Sequence, residues 1–232
     1  MNAPLQNLLD HIDSESPTRI LAFGSSNTQR LCPGMHWFDC FELALHQNHG
    51  PRAHCINTGV GGNTTRELLA RFESDAAFYQ PQAAFLTIGG NDCKPEEKLD
   101  DSEFEANLFE LWNRFQAIGT HVIFQTYYSV IPDGGERFQN FYRYMEIIRK
   151  VARKTDSTLI DHLARWEPLR LQRPEVYRPL MGDEFHLISR GNRVVGLDIA
   201  RTFGWKLYPD YDYWGEAIVI QQIMDELSAA NG

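Results

Sequence analysis

The sequence predicts an α/β fold, a three-layer α/β/α sandwich built on a doubly wound parallel sheet of five strands. Two observations carry this. Short apolar runs closed by glycine or polar turn residues recur along the chain, as strands buried on both faces require. Between them lie longer segments with apolar residues at three- and four-residue spacing, the period of a helix packed along one face. Their alternation over 232 residues implies parallel strands joined by right-handed crossovers.

Taken in order, residues 1–17 read as an N-terminal extension. Thr-Arg-Ile-Leu-Ala-Phe-Gly at 18–24 is the first strand, and 52–59, 83–89, 121–127 and a weaker 157–161 are the others. Helical patterns occupy 37–47, 64–78, 102–118 and 136–154, with two more at 189–203 and 216–227. In the 102–118 segment Phe104, Leu108, Leu111, Trp112 and Phe115 share one face. The strand and helix count gives a flavodoxin-like sheet. No repeat, low-complexity tract or Gly/Ser linker interrupts it, so one domain over 1–232 is expected, ending in an aromatic segment and helix at 205–232.

Composition removes several function classes. Lys+Arg 22 against Asp+Glu 31 gives a formal charge of −9, which repels phosphate backbones and argues against nucleic-acid binding. No run of about 18 apolar residues is present, so no membrane span is expected. The first residues lack a basic stretch followed by an apolar one, which points to a cytoplasmic location. Cys32, Cys40, Cys55 and Cys93 form no CxxC pair. His36, His46, His49 and His54 lie among the first three, but at spacings that match no structural zinc site, so no metal is expected.

In doubly wound sheets ligands sit beyond the carboxyl ends of the strands. The segments there are Gly24-Ser-Ser-Asn-Thr28, Asn57-Thr-Gly-Val-Gly-Gly-Asn-Thr-Thr65 and Gly89-Gly-Asn-Asp92. Farther on stands Gly182-Asp-Glu-Phe-His-Leu-Ile-Ser189. Neither a P-loop nor a GxGxxG fingerprint is among them. They suit acyl transfer instead, which needs a nucleophile, an imidazole base, a group that orients the imidazole and donors for an oxyanion. Ser26 lies at a strand-to-helix turn, His186 supplies the base, and Asp183 three residues earlier reaches the same ring. Asp161-His162 is a rival pair, poorer because adjacent residues point apart.

These blocks resemble the SGNH hydrolases, also called GDSL esterases/lipases. The family's Gly-Asp-Ser is matched by Gly24-Ser25-Ser26, its Asn-x-Gly-x-x-Gly by Asn57 to Gly62, its Gly-x-Asn-Asp by Gly89 to Asp92, and its Asp-x-x-His by Asp183 to His186. The resemblance implies Ser26 as nucleophile with Asp183 and His186 completing a triad. It also implies an oxyanion hole of Ser26, Gly62 and Asn91. Ser25 departs from the pattern, standing where the family usually has aspartate.

The function implied is hydrolysis of a small carboxylic ester, an acetyl ester of a polar or carbohydrate alcohol, through an acyl-enzyme on Ser26 and without a cofactor. Alternatives within the family are a lysophospholipase, thioesterase or acyltransferase. Outside enzymes, the alternative is a non-hydrolytic binding domain on the same fold. Aromatic residues from Tyr127 to Tyr144 either wall a substrate pocket or fill the helix core, and the 205–214 segment caps the sheet, makes a homo-oligomer contact or rims the site, core packing being favoured.

Overall fold

A computed structural model of the chain describes residues 3–14, 18–205 and 211–230. Its strands are β1 (Thr18–Gly24), β2 (Ala53–Asn57), β3 (Ala83–Thr87), β4 (His121–Gln125) and β5 (Thr158–Ile160). They form one parallel sheet in the order β2-β1-β3-β4-β5, with Leu21 opposite both Ile56 and Ala84. The order reverses between β1 and β3, and with right-handed crossovers such a reversal makes the sheet doubly wound. This is the flavodoxin-like α/β fold that the alternation predicts. Every residue of β3 is buried and β1 departs only at Arg19, whereas edge strand β2 is half exposed.

The helices are α1 (Ala3–Asp13), α2 (Trp37–His49), α3 (Thr65–Ala70), α4 (Phe72–Asp75), α5 (Asp101–Ala117) and α6 (Glu136–Lys154). They continue with α7 (His162–Gln172), α8 (Pro174–Tyr177), α9 (Ser189–Thr202) and α10 (Tyr211–Ala230). The described residues group into two compact units. One draws on 1–31, 52–127 and 132–160, the other on 32–51, 128–131 and 161–232. Each is discontinuous, so no single cut of the chain separates them.

The first unit holds the sheet with α1 and α3 to α6. Phe23 on β1 meets Phe72 and Phe115 edge-on, at centroid distances of 6.4 and 6.0 Å. The second unit holds α2 and α7 to α10. There α2 and α9 approach so closely that a Cβ on Gly196 would overlap Cys40. Asp198 joins three helices of this unit, accepting from Arg165 Nε at 2.8 Å, Gln221 Nε2 at 2.9 Å and Trp166 Nε1 at 3.0 Å. Burial pushes its carboxyl up, but these donors and His162 outweigh burial and hold it low.

Several elements differ from the sequence expectation. Helix α1 falls in what reads as an extension, although Leu5, Leu8, Leu9 and Ile12 are buried at helical spacing. Helix α7 is also unforeseen. It buries Leu163, Trp166 and Leu169 and tolerates Pro168 within it. The expected 64–78 helix is broken at Arg71, where the backbone leaves helical geometry at ψ 11° and α4 starts anew. Helix α10 begins ahead of the expected 216. Of the aromatic segment, Trp205 and Trp214 are buried, and residues 206–210 lie outside the described residues.

Candidate active site

The turn after β1 carries the expected nucleophile. Thr28 N and Gln29 N both donate to Ser25 O, at 3.0 and 2.9 Å, closing a tight turn around half-buried Ser26. No helix follows directly, which corrects the expected strand-to-helix junction. The next helix starts at Trp37.

The loop after β2 is stitched to this turn. Asn57 Nδ2 donates to Thr28 O at 2.7 Å and Gly61 N to Gln29 Oε1 at 2.6 Å, while Val60 N reaches Gly24 O at 3.1 Å. A Cβ on Gly59 would overlap the Thr28–Gln29 backbone, so only glycine permits the approach. A Cβ on Gly61 would lie 3.8 Å from the Ser26 Cβ. Gly62, exposed, has φ +84°, the left-handed region that favours glycine.

After β3, Asn91 is only 6% exposed and donates from Nδ2 to Asn63 O at 3.0 Å. A side-chain amide has two N–H groups, and one of them anchors Asn91 to the turn at Asn63. Its neighbour Asp92 accepts from Thr65 N at 2.7 Å through Oδ1, and buried Oδ2 has no partner. Burial pushes the Asp92 carboxyl up to about 6.

In the second unit, Asp183 Oδ1 accepts the backbone N–H groups of Phe185 and His186, each at 2.7 Å, and Oδ2 lies 2.7 Å from His186 Nδ1. The carboxylate thus shapes the turn and holds the ring together. Partial burial raises its pKa, but these donors outweigh burial and keep it below the usual range. Tyr128 Oη donates to Phe185 O at 2.6 Å, Ile131 N donates to Glu184 O at 3.0 Å, and Met181 bridges Leu187 across the loop. With Nδ1 donating to Asp183, Nε2 is the ring's basic nitrogen.

Ser26, Gly62 and Asn91 therefore stand on three interlocked turns of the first unit, and Asp183 and His186 form a hydrogen-bonded pair in the second. The rival Asp161-His162 pair is spent elsewhere. Asp161 caps α7 through Ala164 N at 3.2 Å, and His162 Nδ1 lies 3.4 Å from Asp198. Of the cysteine and histidine residues near 32–55, His36 caps α2 through Phe38 N, Cys40 is buried and its thiol is pushed up to about 12, and His49 packs on Trp205. Tyr127, Tyr128, Phe141 and Tyr144 are core residues, while Phe138 and Tyr142 stay partly exposed.

Sequence reasoning misses the residues that brace the site. Arg71 donates to Gly24 O at 2.9 Å, Thr58 O at 2.7 Å and Asn63 Oδ1 at 2.8 Å, and its guanidinium lies 4.5 Å from the Phe23 ring centre. It is the side chain at which the expected helix breaks. Arg137 donates to Gly90 O through Nε at 3.2 Å and Nη2 at 2.7 Å. Neither lies in a motif block, and the helix break at Arg71 has no signal in the sequence.

The GDSL-like Lipase/Acylhydrolase family matches residues 22–194, most of the chain and all four blocks. An acetylxylan esterase of Geobacillus stearothermophilus is 25% identical over 163 residues, 65% of this chain and 72% of its own. The uncharacterized lipoprotein YqeF of Bacillus subtilis (strain 168) is 24% identical over 173 residues, 62% of this chain and 70% of its own. Among solved structures, the acetyl xylan esterase AlAXEase superposes with a TM-score of 0.69 at 24% identity, covering 78% of this chain and 97% of its own. An acetyl-xylooligosaccharide esterase variant of Axe2, from Geobacillus stearothermophilus, gives 0.72 at 21% identity, covering 83% and 97%. Fold and family model agree over the span that carries every block, and the chain belongs to the GDSL-like lipase/acylhydrolase family.

Proposed function

We propose that the protein is a serine esterase that removes a short acyl group, acetyl in particular, from a polar or carbohydrate alcohol, with Ser26, His186 and Asp183 as its triad. The observation that carries this reading is the Asp183–His186 pair, whose 2.7 Å bond at Nδ1 leaves Nε2 as the base. An imidazole so oriented is what an alcohol nucleophile requires. Membership of the family supports ester hydrolysis. Similarity to an acetylxylan esterase supports an acetyl group on a carbohydrate.

In this mechanism Ser26 Oγ adds to the ester carbonyl carbon as its proton passes to His186 Nε2. Negative charge gathers on the carbonyl oxygen and is met by the backbone N–H groups of Ser26 and Gly62 and by the second N–H of Asn91. Asp183 stabilises the imidazolium. The bond between the carbonyl carbon and the alcohol oxygen then breaks as His186 gives its proton to the departing alkoxide, so the alcohol leaves and an acyl-Ser26 ester remains. Water, deprotonated by the same Nε2, cleaves that ester and releases the acid.

The test is hydrolysis of p-nitrophenyl esters from acetyl to long acyl, and of acetylated xylooligosaccharides, by the wild type and Ser26→Ala. The expected result is fastest turnover of acetyl esters and its loss in the variant. Absence of Ser26-dependent hydrolysis overturns the esterase reading. A rate that rises with acyl length replaces the acetyl preference with a lipase or thioesterase. Transfer to added alcohols faster than to water makes the enzyme an acyltransferase.

A further inference from the structure

Beside its nucleophile this chain carries Ser25, and the structure shows what that hydroxyl does. Ser25 is fully buried, and its Oγ lies 3.1 Å from Tyr127 Oη. Tyr127, 3% exposed, stands two residues past the end of β4. Its ring lies against Gly90, so closely that a Cβ there would overlap the ring edge. The ring also meets Phe141 edge-on at 6.1 Å, and the Tyr127 backbone N–H points at Met145 Sδ, 3.2 Å away. Arg137 holds the Gly90 carbonyl from outside. The phenol is thereby fixed between the residue before Ser26 and the residue before Asn91.

Resting on the esterase reading above, we propose that Tyr127 is a positioning residue for the reaction: its hydroxyl holds the Ser25 turn that presents Ser26, and its ring seats the Gly90 turn that presents Asn91. One side chain thus sets the spacing between the nucleophile and an oxyanion donor. Spacing of this kind is worth much to the rate, since a displacement of about 1 Å can cost on the order of 100-fold. The pair is also suited to a neutral bond. Burial pushes the phenol up to about 12, so it stays protonated and neutral at working pH. The buried Asp92 carboxyl nearby acts on the same phenol, which makes a second carboxylate at position 25 unwelcome. Serine with a tyrosine partner takes the place of aspartate.

The experiment is a double-mutant cycle on the full chain with Tyr127→Phe, Ser25→Ala and the two combined, reading kcat, KM, the rate of Ser26 labelling by a fluorophosphonate, and the melting temperature. Tyr127→Phe keeps the ring and removes only the hydroxyl. Each single variant is expected to lower kcat and the labelling rate about 10-fold with KM unchanged, and the double variant to lose no more than either single. Additive losses, or a lowered melting temperature with kcat and labelling intact, overturn the proposal. A wild type that neither hydrolyses esters nor is labelled at Ser26 overturns the esterase reading and this proposal with it. An active wild type whose single variants lose nothing overturns this proposal alone.

Discussion

The turns that carry Ser26, Gly62 and Asn91 and the loop that carries Asp183 and His186 are held by opposite means. The turns are bound by contacts far apart in sequence: Arg71 to Gly24, Asn57 to Thr28, Asn91 to Asn63 and Tyr127 to Ser25. Asn91, Asp92 and Ser25 are buried there. Within the loop, by contrast, the acid–base pair is local. Asp183 satisfies two backbone amides and one ring nitrogen within three residues, and its side chain remains 50% exposed. The difference is instructive. Groups that receive developing charge gain from rigidity and exclusion of water, because a fixed dipole costs nothing to reorganise during reaction. On the proposed reading, a proton shuttle must meet water and a leaving group, and a half-buried ring with one fixed nitrogen suffices.

Removing the chemistry itself should have the largest effect. Ser26→Ala is expected to reduce acetyl ester turnover by about 10⁴-fold or more with the melting temperature unchanged, measured by steady-state kinetics and thermal denaturation. Asn91→Ala attacks the rigid side of the comparison. It should lower kcat by about 10²- to 10³-fold at near-constant KM, while a proportional rise in KM would assign Asn91 to ground-state binding.

Arg71→Met tests whether distant braces matter. Three carbonyl acceptors lose a charged donor, so denaturant unfolding should show a loss of about 2–4 kcal/mol together with a fall in kcat. Loss of stability with full activity would uncouple the braces from the site.

Asp92 in the first unit and Asp183 in the second should respond to pH in opposite senses. Asp92 sits at about 6 against a reference of 3.8, so the folded chain holds its proton more tightly than the unfolded chain. Its contribution is therefore lost as pH rises from about 4 to 6, and Asp92→Asn should flatten stability over that window, by on the order of 2–3 kcal/mol. Asp183 is depressed, so its contribution is present above the ordinary carboxylate range and fades as pH falls through its lowered value. Being half exposed, it should give the smallest effect and one weakened by salt. Urea titrations across pH for Asp92→Asn and Asp183→Asn measure both slopes, and equal signs would break the contrast.

Much of the fold was legible because its signals are local. Apolar runs such as 18–24 and 83–87 announce buried strands, and the first three blocks lie at the ends of β1, β2 and β3. The Asp183–His186 pair is equally local, since a three-residue spacing lets one carboxylate reach both the turn amides and the ring. Helix α1 was also written in the sequence, in Leu5, Leu8, Leu9 and Ile12, but a short N-terminal stretch reads equally as an extension. The break at Arg71 was not. Nothing near it disfavours a helix, and the backbone turns there as the guanidinium reaches carbonyls 8 to 47 residues away.

The sequence by itself determined the α/β alternation, the family blocks and their order, and a local dyad that a short turn can close. Only the tertiary structure decided how the Ser26 turn is secured. Whether Ser25 finds Tyr127, whether Asn91 is anchored by Asn63, and whether Asp92 is left with a raised pKa depend on residues 28 to 102 positions apart, or on burial, which no local pattern encodes. Hydrophobic periodicity selects the sheet, and the sheet then brings those distant polar groups together.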